Sequence, residues 1–445
     1  MKINVAGAGA GKTTGLAAQI IERHKCTPEH KNIYCVAFTN SAAESIKEKL
    51  TAYYGVIPHN IIIGTIHSFL YQEFISPFYY LLYKKHYKSI ASIDLPANQL
   101  FKQKKLRELE DKSILHVEKI PERAKWVIAK KSSDKAREKE IRKAIINVFC
   151  SYCATVYVDE AQDIDTNMKE IFSALDGSGI DLILFGDPKQ DIRGYGCFRE
   201  LITAHMDNTS YISTCHRCPK EHLLLTNSLV RLEEQQLSEK TGGQIALLFE
   251  SDCTTDINLQ MYDLKYIYKK NDRFDTHTHT NEKSFDNLYY EIHTILSSLS
   301  KDLDKSTVKI TSYKFAQLMM RWRQSGKTVS QAIASFCDYT GRLEKTQYAK
   351  LYEAVSACCM TSQSQTVVSS IESVKGLEGE HCLFILTSDL AAYLLGNKTE
   401  ENKTKNALYV ALTRSLSMLT ILICMEVEEE YRRPAIIDFF AKYIN

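Results

Sequence analysis

The stretch that decides the fold of this 445-residue chain is AGAGAGKT, at residues 6–13. The apolar residues 2–6 before it predict a buried β-strand, and helical sequence follows from Thr14. Small residues at these positions let backbone N–H groups wrap around a phosphate, and the N-terminus of the next helix adds positive potential. The pattern therefore predicts a phosphate loop, in which Lys12 reaches the β- and γ-phosphates and the Thr13 hydroxyl binds Mg²⁺.

Two further apolar strands end in the polar residues that a phosphate loop requires. Residues 155–158 run into Asp159 and Glu160, and residues 181–185 are followed by Gln190. Asp159 is suited to hold Mg²⁺, Glu160 to orient and deprotonate an attacking water, and Gln190 to contact the γ-phosphate. Because helical sequence separates these strands, we predict a parallel α/β sheet with its ligand at the C-terminal edge.

Composition places the chain among ordinary globular proteins. There are 56 Lys and Arg against 54 Asp and Glu, and 44% of the residues are hydrophobic, which excludes wholesale disorder. The 13 cysteines are scattered and odd in number, as expected of reduced thiols. No apolar run reaches the roughly 18 residues that span a bilayer. We therefore expect two or three domains, a cytoplasmic location and no membrane partner.

Positive charge is concentrated in one part of this nearly neutral chain. Residues 101–143 contain fifteen Lys or Arg and eight Asp or Glu in helical-looking sequence. Just upstream, residues 71–87 interleave aromatic side chains with lysines. Such a run is either a solvated helical face or a surface that faces nucleic-acid phosphates, and the residues alone leave both interpretations open.

With these segments placed, the chain resembles the superfamily 1 DNA helicases of the UvrD/Rep type. Eight segments match in order: AGAGAGKT (6–13), AFTNSAA (37–43), GTIHSF (64–69), DEAQD (159–163), GDPKQDI (186–192), TCHR (214–217), VKGLE (374–378) and YVALTR (409–414). Their order over most of the chain is far more specific than any one segment. The resemblance implies two RecA-like P-loop domains with parallel sheets, which hold ATP and Mg²⁺ between them.

The resemblance also assigns roles to residues of both domains. The implied catalytic residues are Lys12, Glu160, Gln190, Arg217 and Arg414, the implied Mg²⁺ ligands are Thr13 and Asp159, and the implied nucleotide contacts are Gly9, Ala10, Gly11, Lys12, Thr13, Thr14, His216, Gly376 and Glu378. Arg217 and Arg414 would neutralise charge on the transferring phosphate. His216 stands where the family has a tyrosine that stacks on the base. The family's adenine-reading glutamine, upstream of the phosphate loop, has no counterpart before Ala6.

Contacts to single-stranded DNA are implied by the same family segments. The implied residues are Phe38, Thr39, Asn40, Thr65, His67 and Tyr195. Tyr195 follows the Q-x-I segment, where the family places an aromatic on which bases stack. Two alternatives remain open, that Tyr195 is a packed loop aromatic and that His67 is a core histidine with its hydrogen bonds satisfied.

The domain organisation expected from the resemblance is compact. We expect a RecA-like domain 1A at residues 1–205, with a basic helical 1B insertion at about 71–145. A second RecA-like domain, 2A, is expected at 206–445. Residues 308–322 are interpreted as a strand and a helix of the second core, so the family's 2B subdomain is expected to be absent or reduced to a helical stub at about 325–365.

Two functions follow from the resemblance. The first is an ATP-dependent 3′–5′ DNA helicase or translocase. The second is a DNA-sensing regulatory ATPase subunit that gates a separate nuclease. The expected reduction of the 2B subdomain and the expected lack of a nuclease domain favour it. In both respects the chain resembles the helicase-like component of anti-phage systems such as Gabija, which accompanies an OLD-family nuclease. A P-loop kinase or GTPase is a third possibility, against which Arg217, Glu378 and Arg414 argue.

Overall fold

The computed structural model describes residues 1–96, 98–129, 133–252, 259–271, 273–276, 281–299, 305–358, 366–396 and 398–444. The strands in these ranges are β1 (Lys2–Ala6), β2 (Asn32–Ala37), β3 (Ile61–Thr65), β4 (Ser89–Ala91), β5 (Ile114–His116), β6 (Cys153–Val158), β7 (Asp181–Gly186), β8 (Thr209–Ile212), β9 (Gln244–Phe249), β10 (Leu264–Ile267), β11 (Phe274–Asp275), β12 (Thr366–Val367), β13 (Ser369–Ser370), β14 (Gly379–Leu386) and β15 (Ser415–Ile423). The α-helices are α1 (Lys12–Lys25), α2 (Asn40–Tyr54), α3 (Ile66–Leu70), α4 (Ser76–Tyr83), α5 (Gln99–Asp111), α6 (Ile120–Ile128), α7 (Ala136–Tyr152), α8 (Thr166–Asp176), α9 (Cys197–Ala204), α10 (Lys220–Asn227), α11 (Asn281–Leu299), α12 (Lys305–Gln324), α13 (Val329–Thr340), α14 (Lys345–Cys358), α15 (Ser388–Leu394), α16 (Lys403–Leu412), α17 (Met425–Tyr431) and α18 (Arg433–Phe440).

The chain divides into two compact units. One unit contains Met1–Tyr268 together with Ile371–Asn445, and the other contains Lys269–Ser370. The first unit contains two sheets, and the helices that connect the strands of each sheet pack against it. No helix in the described part of the chain is both long and apolar enough to cross a membrane.

The first sheet is the predicted parallel α/β sheet. Its strand order is β3-β2-β6-β7-β1-β8, and all neighbouring strands are parallel. On β2, Val36 belongs to one apolar cluster and its neighbour Cys35 to another, because successive side chains point to opposite faces of a sheet. Helices cover both faces, which explains why the strands read as continuous apolar runs. All six strands therefore end at one edge.

The first core extends further along the chain than predicted. The edge strand β8, Thr209–Ile212, pairs with β1, so the sheet ends after the boundary expected at residue 205. A four-residue strand with two exposed side chains carries little apolar pattern, so sequence periodicity does not reveal it.

The insertion between β3 and β6 is largely helical, as predicted, with one short pair of parallel strands, β4 and β5. Two of its cations serve the insertion itself. Arg123 binds Glu110 and lies 4.0 Å from the centre of the Trp126 ring, and Arg142 Nε donates to Asp134 at 2.9 Å. Both arginine side chains are almost fully buried. Part of the positive charge of the insertion therefore stabilises the insertion itself.

The second sheet contains β10, β14, β15 and β9 in that order, and these neighbours are parallel. Its central strands are apolar over most of their length and are buried on both faces. Helix α16 carries most of the YVALTR segment, and β15 begins directly after Arg414. Two parallel sheets, each with its own helices, confirm the predicted α/β class with two RecA-like domains.

The unit Lys269–Ser370 is helical and larger than the predicted stub at 325–365, of which residues 359–365 lie outside the described part. Its helices α11 to α14 share one apolar core. The interpretation of residues 308–322 as strand then helix was wrong, because α12 is continuous from Lys305 to Gln324. Buried positions 308, 312, 316 and 319 follow the helical period, which the β-branched start of the segment obscured.

Candidate active site

The phosphate loop leaves β1 at the C-terminal edge of the first sheet, and α1 begins at Lys12. Gly9 and Gly11 adopt the left-handed conformation, with φ of 68° and 72°. A Cβ on Gly9 would lie 2.3 Å from the Cβ of Arg217, so this position has no room for a side chain. The amides of residues 9, 11, 12 and 13 donate to no acceptor in the described part of the chain. Such a series of free amides before a helix fits the triphosphate of a nucleotide.

Lys12 lies against the loop, as the sequence predicts. Its Nζ is 3.4 Å from the carbonyl oxygens of Ala6 and Gly7, distances that leave it available for a stronger acceptor. Its charge favours the ionised forms of the nearby carboxyl groups Asp159 and Glu160. Lys12 is therefore placed between the loop and the acidic pair.

The acidic pair follows β6, next to β2 and β7. Asp159 is buried, and burial together with the charge of Glu160 raises its pKa to about 7, against the opposing charge of Lys12. Burial also acts to raise the pKa of Glu160, but the charges of Lys12 and Lys375 and a hydrogen bond from Gln162 outweigh it and hold that pKa below its usual range. Glu160 is thus the ionised member of the pair, and Asp159 is the one that a cation would ionise.

Gln190 belongs to a hydrogen-bonded chain that joins the ends of β6 and β7. Its Nε2 donates to Asp187 Oδ2 at 2.9 Å, and the Asp187 amide donates to Gln162 Oε1 at 2.9 Å. Gln162 in turn donates to Glu160. The Lys189 ammonium lies 3.0 Å from Asp187 Oδ1. Gln190, the predicted γ-phosphate contact, is therefore connected to Glu160, the predicted catalytic carboxylate, by hydrogen bonds through Asp187 and Gln162.

The two predicted phosphate arginines lie in different surroundings. Arg217 packs beside Gly9 at the loop, and its Nε donates to Glu378 Oε2 at 2.6 Å. The guanidinium of Arg414 is fully buried; it donates to the carbonyl oxygens of Val410 at 2.9 Å and Leu377 at 3.2 Å. Burial, and then the charge of Arg217, lower the pKa of Arg414. The structure thus places Arg217 beside the phosphate loop, whereas the guanidinium of Arg414 donates to backbone carbonyls of the second core.

The remaining predicted nucleotide contacts surround the loop on its exposed side. His216 is exposed, with its Cδ2 3.7 Å from where a Cβ on Gly11 would lie, and its amide donates to the carbonyl of Gly9 at 2.8 Å. Thr13 and Thr14 form the first turn of α1, and Ala10 N–H donates to the carbonyl of Gly7. The exposed Gly376, with φ of 88°, lies two residues before Glu378, whose carboxylate accepts a hydrogen bond from Arg217.

One ion pair near the site was not predicted. Lys375 Nζ lies 2.7 and 2.8 Å from the two carboxylate oxygens of Asp163. It joins the VKGLE segment of the second core to the DEAQD segment of the first. Both residues lie inside matched segments, so their position was a usable signal, but only the fold shows that they meet.

The predicted DNA contacts lie along the same edge, further from the loop. Ala37 of β2 pairs with Thr65 of β3, which brings residues 38–40 beside Thr65. The Thr39 and Thr65 hydroxyls each cap a helix, accepting from the amides of Ala42 at 3.1 Å and Ser68 at 3.2 Å. These two threonines therefore have a structural role whether or not they touch DNA.

The aromatic and imidazole members of this set differ in exposure. Phe38 is half-buried against the core, and Asn40 is exposed. His67 is half-buried, and burial lowers its pKa against the opposing charge of Asp165. Tyr195 is 42% exposed, which leaves part of the residue accessible to a stacking partner.

Comparisons with known proteins agree with this geometry. A sequence model of the AAA domain family matches residues 1–195. The Gabija protein GajB of Bacillus cereus (strain VD045) is 30% identical over 275 residues, 59% of this chain and 53% of that protein. The putative ATP-dependent DNA helicase YjcD of Bacillus subtilis (strain 168) is 40% identical over 74 residues, 15% of this chain and 10% of that protein.

Two solved helicase structures align with much of the chain at low scores. The Arterivirus nonstructural protein 10 (helicase) in complex with DNA gives a TM-score of 0.36 at 10% identity, over 94% of this chain and 59% of that chain. The PRRSV helicase gives 0.34 at 9% identity, over 95% of this chain and 52% of that chain. Scores of this size carry no structural argument.

The parallel sheet, the phosphate loop and the acidic pair define a P-loop nucleoside triphosphatase. Within that class, residues 1–195 match the model of the AAA domain family, and the chain resembles the superfamily 1 helicases of the UvrD/Rep type. The chain spans about half or less of the length of the curated relatives it matches.

Proposed function

We propose that the protein is a cytoplasmic, Mg²⁺- and ATP-dependent DNA translocase or helicase that moves 3′ to 5′ on single-stranded DNA. The observation that carries the proposal is the meeting of Lys12, Glu160 and Arg217 around one phosphate loop. The relationship to UvrD/Rep-type helicases supports DNA as the track and supports the direction of movement. The row of predicted DNA contacts starts at the ends of the same sheet, which couples the two activities.

Each residue of the site has a distinct task in hydrolysis. The free loop amides and Lys12 bind the phosphates, and the ionised Glu160 orients and deprotonates water. Thr13 and Asp159 would hold Mg²⁺, which would supply positive charge to the phosphates. Arg217 approaches the γ-phosphate once it leaves Glu378. Loss of phosphate reverses these contacts, so the two cores shift relative to each other along the DNA strand.

Replacing Lys12 with alanine tests this proposal directly. We expect ATP hydrolysis to fall about a hundredfold or more, because a positioned donor to developing phosphate charge is removed. ATPase rates are measured without nucleic acid and with single-stranded DNA, duplex DNA or RNA. Lys2→Ala, which removes an exposed lysine from the far end of β1, is the matched control. An unchanged rate in Lys12→Ala contradicts the proposal.

Replacing Tyr195 with alanine tests the DNA part of the proposal. We expect the concentration of single-stranded DNA that half-stimulates the ATPase to rise about tenfold, since stacking on one aromatic ring contributes about 1–3 kcal/mol. Tyr211→Ala is the control, because Tyr211 is 40% exposed and lies on the edge strand β8, outside the predicted DNA contacts. Equal effects in both variants argue against a stacking role for Tyr195.

Similarity to the Gabija protein GajB favours a second function. In this case the protein is a DNA-sensing regulatory ATPase that gates a separate OLD-family nuclease and unwinds little DNA itself. Co-expression with such a nuclease, followed by size-exclusion chromatography and a cleavage assay with and without ATP, separates the two functions. Efficient unwinding by the protein alone, with no complex formed, contradicts the regulatory function.

A further inference from the structure

A closed ring of hydrogen bonds holds the backbone N–H and C=O of Ala8 in the phosphate loop. The amide of Ala8 donates to the hydroxyl of Tyr409 at 3.2 Å, and that hydroxyl donates to Gln236 Oε1 at 2.9 Å. Gln236 Nε2 then donates to the carbonyl oxygen of Ala8 at 3.1 Å. Both side chains are almost completely buried. Burial raises the pKa of Tyr409, so its hydroxyl keeps the proton that the ring requires.

The ring fits closely against the loop. A Cβ on Gly7 would lie 2.3 Å from the side-chain amide of Gln236, so the glutamine occupies the space that a side chain would need. The carbonyl of Ala8 also accepts from Cys215 Sγ at 3.2 Å. The backbone N–H and C=O of Ala8 are therefore both hydrogen-bonded to protein groups, and the free amides of the loop begin at Gly9.

We infer that Tyr409 and Gln236 are positioning residues for the nucleotide site, and this inference rests on the proposed ATPase function. They fix the loop in the shape in which the amides from Gly9 onward face the triphosphate. Without them, the loop must be ordered at the moment of binding, and that cost weakens affinity. Tyr409 lies on α16, in the same segment as Arg414, so the ring also ties the second core to the phosphates.

The test compares two tyrosine variants that each lose one buried hydroxyl. Tyr409→Phe breaks the ring, and we expect the Kd for a fluorescent ATP analogue, and the KM for ATP, to rise about tenfold. We expect kcat to stay within about twofold, because the catalytic groups are intact once ATP is bound. Tyr266→Phe is the matched control, since the Tyr266 hydroxyl donates to the carbonyl of Ala411 on the same helix at 2.7 Å. It should lower thermal stability without changing Kd.

A double-mutant cycle with Gln236→Leu shows whether the two side chains act together. Because either change opens the ring, we expect Tyr409→Phe to add less than twofold to the Kd in the Gln236→Leu background. The inference is overturned if Tyr409→Phe leaves Kd unchanged, or if Tyr266→Phe raises it equally. Lys12→Ala separates this result from the proposed function. If the wild type binds ATP and Lys12→Ala does not, the nucleotide site is confirmed. A Tyr409→Phe variant with unchanged Kd then contradicts only the role of the hydrogen-bonded ring.

Discussion

Replacing Glu160 with glutamine is expected to lower kcat for ATP hydrolysis about a thousandfold while ATP still binds. The amide has the size of the carboxylate and retains an oxygen for the hydrogen bond from Gln162, so the buried chain to Gln190 remains intact. The variant loses only the negative charge that takes the proton from water. Lys12 and the free loop amides remain to hold the nucleotide.

Single-turnover hydrolysis and equilibrium ATP binding, measured on the same preparation, check the two halves of this expectation. Glu170→Gln is the control, because Glu170 is exposed on α8 and pairs with Lys125 rather than with the site. A Glu160→Gln protein that keeps more than a tenth of the wild-type kcat contradicts the assignment of Glu160 as the base. Loss of ATP binding would instead indicate that Glu160 helps to bind the nucleotide.

The residues that the sequence placed well are those that follow strands. Asp159 comes directly after a strand, and Lys12 and Gln190 lie in the loops that follow two others. Because parallel strands end at one edge, local pattern was enough to bring the three together. The pairing of β2 with β3 also brings Thr39 beside Thr65, two residues that only the family resemblance had pointed to. For these residues the chain order and the topology rules carry nearly all the information.

The residues that the sequence did not place depend on contacts between distant segments. Gln236 lies in no matched segment, yet it touches the phosphate loop 228 residues away along the chain. Arg414 was expected at the phosphates, and its donors instead satisfy carbonyls of its own core. The helix α12 was missed at its start because Val308 and Ile310 favour strands, and packing in the helical core overrides that preference.

Replacing Arg414 with alanine is expected to lower the free energy of unfolding by about 3 kcal/mol and to reduce ATP hydrolysis more than a hundredfold. The side chain is fully buried, so the variant leaves a cavity and removes donors from the carbonyls of Val410 and Leu377. Hydrolysis falls because the charge that acts on the site from beside Arg217 is lost.

Arg414→Lys separates the two effects, because lysine keeps the charge but cannot form the planar set of hydrogen bonds. We expect its stability to lie between those of the wild type and Arg414→Ala, and its rate of hydrolysis to recover most of the loss, because the charge is retained. Denaturant unfolding and ATPase rates, both measured where all variants are folded, give the comparison. Arg433→Ala removes an exposed arginine paired with Asp252, so it should leave both quantities near wild type. If Arg414→Ala is as stable as Arg433→Ala, the buried guanidinium does not support the second core.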